Sequence, residues 1–332
     1  MPFIQKDFYL HTPIKATLFL KQLGYPPHLA QKIIDKKRLK HNNIPVKKSQ
    51  ILQGLVRLTY FEERFYQANE LIEPFFITKD FACFNKPPKL LIHPKGSFLH
   101  KSLLDSMMFY FDSHTKPIHR LDYETSGIVL AGRGYANERA LKDMFMAKQV
   151  QKLYIAKIRG HLSESITIQA PIKEPTKADK LARKNLCIRS QIHPQGKLAT
   201  TIVIPIAYHG DCTFVKVIPL TGRTHQIRLH LWYSGYPIVN DFLYSDDDAQ
   251  SMRYLDEIKA SFQSYSHKFA PNPHIEQNPA LNDLYADKFL CLHAYALRFC
   301  FKGITYHICT TQSLHVLNWW DCDLDLAQVG SF

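Results

Sequence analysis

Apolar positions along this chain recur in two rhythms, and the switch between them sets its organisation. From Thr12 to Gly24 they fall at Ile14, Leu18, Leu20 and Leu23. With Thr12 as cap, Pro13 at the first position and Gly24 as stop, this spacing predicts a helix. A second short helix follows Pro26-Pro27 and carries Leu29, Ile33 and Ile34, and short strands are expected around 44–46 and 55–58. Beyond residue 77 the rhythm shortens to strand-like runs. Strands are expected at 81–84, 90–93, 128–131, 152–159, 183–190, 199–207, 213–218, 290–294 and 304–308, and helices at 102–110, 137–148 and 224–233. Strands and helices alternate irregularly, without a βαβ repeat, which predicts an α+β fold with a mixed, mostly antiparallel sheet flanked by helices and loops.

The pattern divides the chain into a small module at 12–60, a more acidic linker at 61–76 and a large domain at 77–332. Residues 245–285 interrupt the large domain with Asp246-Asp247-Asp248 and a Pro-rich stretch, and read as a surface insertion. The chain has 332 residues, enough for one large core and a satellite. With 42 Lys and Arg against 29 Asp and Glu, its formal charge is +13. That favours a polyanionic partner, because bound phosphates release condensed counterions. The charge is uneven: between His28 and Lys48 there are seven basic residues, among them Lys32, Lys36, Lys37, Arg38 and Lys40, and one acid, Asp35. Such a run can be a solvated face, yet two helices and a short sheet with one cationic side also suit an RNA stem-loop.

The seven cysteines form no CxxC pair, a usage that fits free thiols in a reducing compartment. The sequence starts with no apolar signal core and contains no run of 18 apolar residues. Cytoplasmic localisation without membrane attachment is the expectation, and a monomer is sufficient. His119, His225, His230 and His293 lack the close Cys/His spacing of a zinc site, so no metal is expected.

One segment carries chemistry that packing does not require. His119-Arg120-Leu121-Asp122-Tyr123-Glu124-Thr125-Ser126-Gly127 leads into the apolar run Ile128–Ala131. A carboxylate at the lip of a core strand is drawn toward a low-dielectric wall and needs a cation. About a hundred residues later, Thr221-Gly222-Arg223-Thr224-His225-Gln226-Ile227-Arg228 opens a helix on which Ile227 and Arg228 face inward. Arg228 is the expected partner of Asp122, although a purely structural ion pair would look the same.

Together these segments resemble the RluA-type pseudouridine synthases. The resemblance runs through FNKPP at 84–88, LLIHPKG at 90–96, HRLDYETSG at 119–127 and KLYIAKIRG at 152–160. It continues through ATT at 199–201, PLTGRTHQIRLHL at 219–231, GYPIVND at 235–241 and LCLHA at 290–294. Residues 12–60 resemble, more loosely, the small S4-like RNA-binding module that precedes the catalytic domain in many members. The resemblance implies a uridine-to-pseudouridine isomerase acting on structured RNA, large-subunit ribosomal RNA first and transfer RNA as the alternative. It assigns Asp122 as nucleophile and proton manager, and Arg228 as its basic partner. Tyr154 is the base platform that assists deprotonation at C5, and Arg120 enters the RNA stack. Ile227 and Leu292 are pocket walls, with His119 and Thr125 as further substrate contacts. The reaction exchanges no electrons and loses no atoms, so no cofactor is expected. A non-catalytic RNA-binding or assembly protein on the same scaffold is the competing reading. The insertion and the tail after His307, with Trp319-Trp320, depart from the family pattern.

Overall fold

The computed structural model describes residues 3–61, 71–94, 102–176, 188–267 and 289–310. The chain forms two compact units, Met1–Tyr66 with Pro94–Lys101, and Gln67–His93 with Ser102–Phe332.

The first unit is a four-stranded sheet carrying two helices. Strand β1 (Phe3–Lys15) pairs with β4 (Ile51–Phe61), followed by β2 (Leu39–His41) and β3 (Ile44–Pro45); α1 spans Ala16–Gln22 and α2 Pro27–Asp35. The helix expected from Thr12 begins only at Ala16, because 12–15 remain extended. There β1 resumes its pairing beyond a register break, with Ile14 opposite Leu52 and Lys15 opposite Ile51. The ladder of hydrogen bonds to β4 outweighs a local capping preference at Thr12. In α2, Pro27 occupies the first turn, and Ala30, Ile33 and Ile34 lie on the face buried against Phe19, Leu20, Leu39, Leu52 and Val56. Lys32, Lys36 and Lys37 are exposed, while Arg38 and Lys40 are half-buried.

The second unit is built on a ten-stranded sheet. Its strands are β5 (Pro74–Ile77), β6 (Phe81–Lys86), β7 (Lys116–Pro117), β8 (Ser126–Gly132), β9 (Gln151–Arg159), β10 (Ile166–Gln169), β13 (Thr200–His209), β14 (Cys212–Pro219), β15 (Leu292–Phe301) and β16 (Ile304–Cys309). A separate ribbon pairs β11 (Ile172–Lys173) with β12 (Gln191–Ile192). The main path runs β10-β13-β14-β9-β15-β8-β6-β5, with β16 beside β15 and β7 beside β8. Among the described strands only β15 and β8 pair in parallel, at His293–Ser126 and Ala294–Gly127. This is the mixed, mostly antiparallel α+β architecture expected from the sequence.

Alternation along β6 distributes the core to both faces of the sheet. Phe81 and Cys83 pack with Leu141 of α4 (Tyr135–Met146), whereas Ala82 and Phe84 pack with Leu103 and Met107 of α3 (Leu103–Tyr110). Helix α5 (Gln226–Tyr233) buries Ile227 and Leu231 against β9, β13 and β14. Helix α6 (Asp248–His267) lies in the expected insertion.

Several sequence expectations change here. Residues 90–93 make only a single bridge, Leu91 to Ser102, because Lys86 holds the preceding turn from beneath. The strand expected at 183–190 lies outside the described residues up to 187, and 188–190 join no sheet. Of the expected linker, 62–70 lie outside the described residues and 74–77 form β5. The insertion is more than surface: Leu255 packs with Ile172, Leu229, Leu243 and Tyr244. Arg189 clamps the start of α6 through Asp248 at 2.6 Å and Ser251 at 2.6 Å. Residues 268–285 and the tail from 311 lie outside the described residues.

Candidate active site

The segment 119–125 forms a loop immediately before β8, and Gly127 fixes where that loop meets the sheet. Its φ is +112°, and a Cβ there would stand 2.3 Å from the Ala294 carbonyl oxygen. Only glycine allows so close an approach of β8 to β15. Beneath the loop lies Lys86, the last residue of β6, with no exposed surface. Its ammonium donates to the carbonyls of Pro87 at 2.8 Å, Leu90 at 3.0 Å and Tyr123 at 3.1 Å. Burial pulls its pKa down to about 7, against the opposing pull of Glu124 and Asp122. Behind the loop, Ser126, His293 and Thr310 form a buried chain of hydrogen bonds of 2.9 and 2.7 Å. Glu124 is buried and accepts the Tyr254 hydroxyl from α6, so the insertion helix holds the loop from the side.

On the other wall, Gln226 organises the approach to α5. Its carbonyl oxygen accepts from Arg223 N at 3.0 Å and Thr221 Oγ1 at 2.7 Å, and its amide donates to Thr200 O and Thr201 Oγ1 at 3.0 Å. This staple shapes the 221–226 turn and sets His225 at the helix entrance in a left-handed conformation, φ +55°.

Between these walls opens a cavity of about 920 Å³. All eight residues expected to act on or contact substrate line it: His119, Arg120, Asp122, Thr125, Tyr154, Ile227, Arg228 and Leu292. Asp122 keeps 24% of its side-chain surface exposed, so its carboxylate is accessible from the cavity. Tyr154 comes from β9, opposite Ala294 of β15 and Val217 of β14. Burial, reinforced by the Asp122 charge, pushes its phenol above the usual tyrosine range and keeps it protonated. Arg120 is exposed, and Lys148, Arg223 and Arg298 add positive charge to the lining. His119 accepts the Leu130 backbone N–H at 3.1 Å and stacks on Phe145, with burial lowering its pKa to about 3. It is a neutral acceptor facing the sheet.

One expected contact is corrected. Arg228 does not grip Asp122: its Nε and Nη2 donate to Asp241 at 2.7 and 2.6 Å. Asp241 is 1% exposed at the side chain and also accepts the backbone N–H groups of Leu243 and Tyr244. A bidentate carboxylate in the same loop cluster satisfies the buried guanidinium better than a partly solvated one across the cavity. Arg228 and Asp122 still line the same cavity, so the guanidinium adds positive charge to the surroundings of the carboxylate. Among the described residues the basic side chain within 4 Å of Asp122 is instead His225, whose Nε2 lies 3.8 Å from Oδ1. Lys86, Glu124, His225, Asp241, Tyr244 and Tyr254 were given no role by sequence reasoning. FNKPP, HRLDYETSG, TGRTHQIR and GYPIVND contain four of them, but nothing in the local pattern tells which carboxylate a cation will meet.

An accessible carboxylate, a tyrosine and a cationic rim thus line one cavity on a mixed sheet, a lining suited to a polyanion. The sequence profile of the RNA pseudouridylate synthase family matches residues 80–232. An uncharacterised RNA pseudouridine synthase of Helicobacter pylori strain J99 is 41% identical over 311 residues, covering 93% of this chain and 95% of that protein. The ribosomal large subunit pseudouridine synthase C of Haemophilus ducreyi is 30% identical over 244 residues, 69% of this chain and 74% of that one. The mitochondrial tRNA pseudouridine(32) synthase of Saccharomyces cerevisiae is 33% identical over 181 residues, 53% of this chain and 38% of that one. The chain belongs to the RNA pseudouridine synthases and is an isomerase of uridine in RNA.

Proposed function

We propose that this is an RluA-type synthase that modifies uridines in large-subunit ribosomal RNA, with Asp122 as its nucleophile and the first unit as an S4-like RNA-binding module. The observation that carries the reading is the placement of Asp122. It is a partly exposed carboxylate at a cavity lined also by Tyr154 and several cations. A uridine inside a helix cannot be detached and turned, so the base is everted into the cavity, and the few kcal/mol of unstacking are offset by new contacts. Tyr154 then stacks on the freed ring, which needs no unique hydrogen-bond pattern. The C1′–N1 bond breaks and the C1′–C5 bond forms, while C5 loses a proton and N1 gains one. Asp122 forms a transient covalent link to substrate, is released when the new C1′–C5 bond replaces that link, and then carries the C5 proton. Because Tyr154 is held protonated, it serves as platform and hydrogen-bond donor while the carboxylate takes the proton. Arg228, fixed on Asp241, presents a standing positive charge to the cavity that Asp122 also lines. Arg120, on the exposed rim, reaches the RNA stack that the flipped nucleotide leaves.

The match to the large-subunit enzyme extends over more of both chains than the match to the transfer RNA enzyme, and supports ribosomal RNA as the first target. Lys32, Lys36 and Lys37, exposed on and just after α2, with Arg38 and Lys40 beside them, suit a phosphate backbone. The deciding experiment is pseudouridine mapping in ribosomal and transfer RNA from cells with and without the gene. Loss of one or more large-subunit sites supports the proposal. Loss confined to transfer RNA replaces the target, and no loss in either RNA overturns both.

A further inference from the structure

The basic side chain that faces Asp122 within 4 Å is a histidine whose other ring nitrogen is already committed. His225 Nδ1 lies 3.0 Å from the Tyr244 hydroxyl, with the two rings edge to face. That hydroxyl receives the Ser190 backbone N–H at 2.9 Å, which occupies one of its lone pairs. It has a single proton to give, and its acceptors are His225 Nδ1 at 3.0 Å and the Ser190 carbonyl at 3.5 Å. The shorter contact takes the proton, since a hydroxyl bond at 3.5 Å is already far beyond the usual range. Nδ1 is then an acceptor, so in the neutral ring the remaining proton sits on Nε2. Nε2 is the atom 3.8 Å from Asp122 Oδ1.

We propose that the Tyr244 hydroxyl fixes His225 as its Nε2–H tautomer, and that this N–H orients the Asp122 carboxylate toward the everted nucleotide. The inference rests on Asp122 being the nucleophile. His225 and Tyr244 are positioning residues: neither contributes a bond to substrate.

Three further observations support it. Arg228 is engaged bidentately by Asp241, which leaves His225 as the basic side chain within 4 Å of Asp122 among the described residues. His225 holds a left-handed backbone conformation, uncommon for a residue with a Cβ, and strain of this kind concentrates at functional sites. The groups around the ring also keep it neutral. Burial opposes protonation most strongly, Arg228 on its own helix and Arg120 on the loop add to that, and Asp122 and Asp241 pull the other way. Tyr244 itself stays a phenol, because burial raises its pKa despite Arg228. A separation of 3.8 Å is long for a hydrogen bond, but catalytic contacts of this kind commonly shorten when substrate closes the site.

The test uses the full-length protein with His225→Ala, His225→Gln and Tyr244→Phe, and a single-turnover assay of pseudouridine formation across pH. A hydrogen bond to a charged acceptor predicts that His225→Ala slows the reaction about 10- to 100-fold at neutral pH. The acidic limb of the rate profile should move to higher pH, because the ionised carboxylate has lost a donor. His225→Gln, whose amide N–H reaches the Nε2 position, should recover most of the rate and return the limb toward wild type. Tyr244→Phe should shift the limb in the same direction as His225→Ala, by a smaller amount. Nitrogen NMR of histidine-labelled protein, assigned by difference against His225→Gln, should show Nδ1 unprotonated and Nε2 protonated, whatever the turnover. A proton on Nδ1, or a His225→Ala enzyme with wild-type rate and pH profile, overturns the inference. If Asp122→Asn remains active under the same conditions, the nucleophile assignment itself has failed; if it is inactive while His225→Ala is normal, only the positioning role has failed.

Discussion

If Arg228 belongs to Asp241 rather than to Asp122, removing the two carboxylates must have opposite consequences for stability and chemistry. Asp241→Asn neutralises a carboxylate that is 1% exposed and leaves a guanidinium that is 4% exposed without its counter-charge. Breaking a buried pair in this way costs about 3–5 kcal/mol. The amide can still accept one of the N–H groups of Leu243 and Tyr244 that Asp241 Oδ1 now serves, which places the expected loss near the lower end, about 3 kcal/mol. Asp122→Asn removes a carboxylate with nearly a quarter of its surface open and no guanidinium bound to it, so its effect on stability should stay below about 1 kcal/mol. Urea-unfolding midpoints followed by circular dichroism give both values. Repeating each substitution on an Arg228→Met background gives the coupling energies. The cycle through Asp241 should return roughly 3 kcal/mol and the cycle through Asp122 less than about 1 kcal/mol. A larger coupling to Asp122 than to Asp241 would refute the assignment of the two pairs, and with it the account of how Arg228 acts.

Four shorter predictions follow from the same geometry. Gly127→Ala drives a Cβ to 2.3 Å from a backbone oxygen at φ +112°, and should lower stability by roughly 2–4 kcal/mol, read from the unfolding midpoint. Tyr254→Phe removes the hydroxyl that Glu124 accepts, and should destabilise by about 1–3 kcal/mol while slowing turnover, because Glu124 belongs to the loop that carries Asp122. His119 and His293, with pKa values near 3 in the fold against 6.5 in the unfolded chain, bind fewer protons folded than unfolded between those limits. Their contribution is full above pH 6.5 and declines as pH falls toward 3, by on the order of 1 kcal/mol per histidine for each pH unit. His293→Gln should remove one such increment from the pH dependence. Replacing Lys36, Lys37 and Arg38 together by Ala should weaken RNA binding and flatten its logarithmic salt dependence by about 2–3, measured by filter binding at several salt concentrations.

The parts of this molecule that were legible in its sequence are those whose information is local. HRLDYETSG and TGRTHQIR each place their residues within one turn or loop, so the placement of Asp122 and Arg228 around a common space follows from two short motifs and a strand pattern. The helices α2 to α5 could be read because apolar spacing and punctuating Pro or Gly agree. What was lost is information held by distant pairs. Asp122 and Asp241 are equally plausible partners for Arg228 along the chain, and the choice is made by which one is desolvated beside it. Strand β1 reads locally as a capped helix at Thr12, yet pairing with β4, some forty residues away, keeps it extended through Lys15. The insertion looked solvated because its first residues are acidic, while Tyr254 and Leu255 on α6 turn out to fasten it to the loop and the core.

The proposed chemistry depends on one carboxylate, Asp122, partly exposed at the cavity of the second unit. Its most direct test is tritium release from RNA labelled at C5 of uridine, comparing wild type with Asp122→Asn in single turnover beside a binding measurement on the same RNA. We expect release to fall by at least about a thousandfold while RNA affinity stays within about twofold. An Asp122→Asn protein that still releases tritium at near the wild-type rate would contradict it.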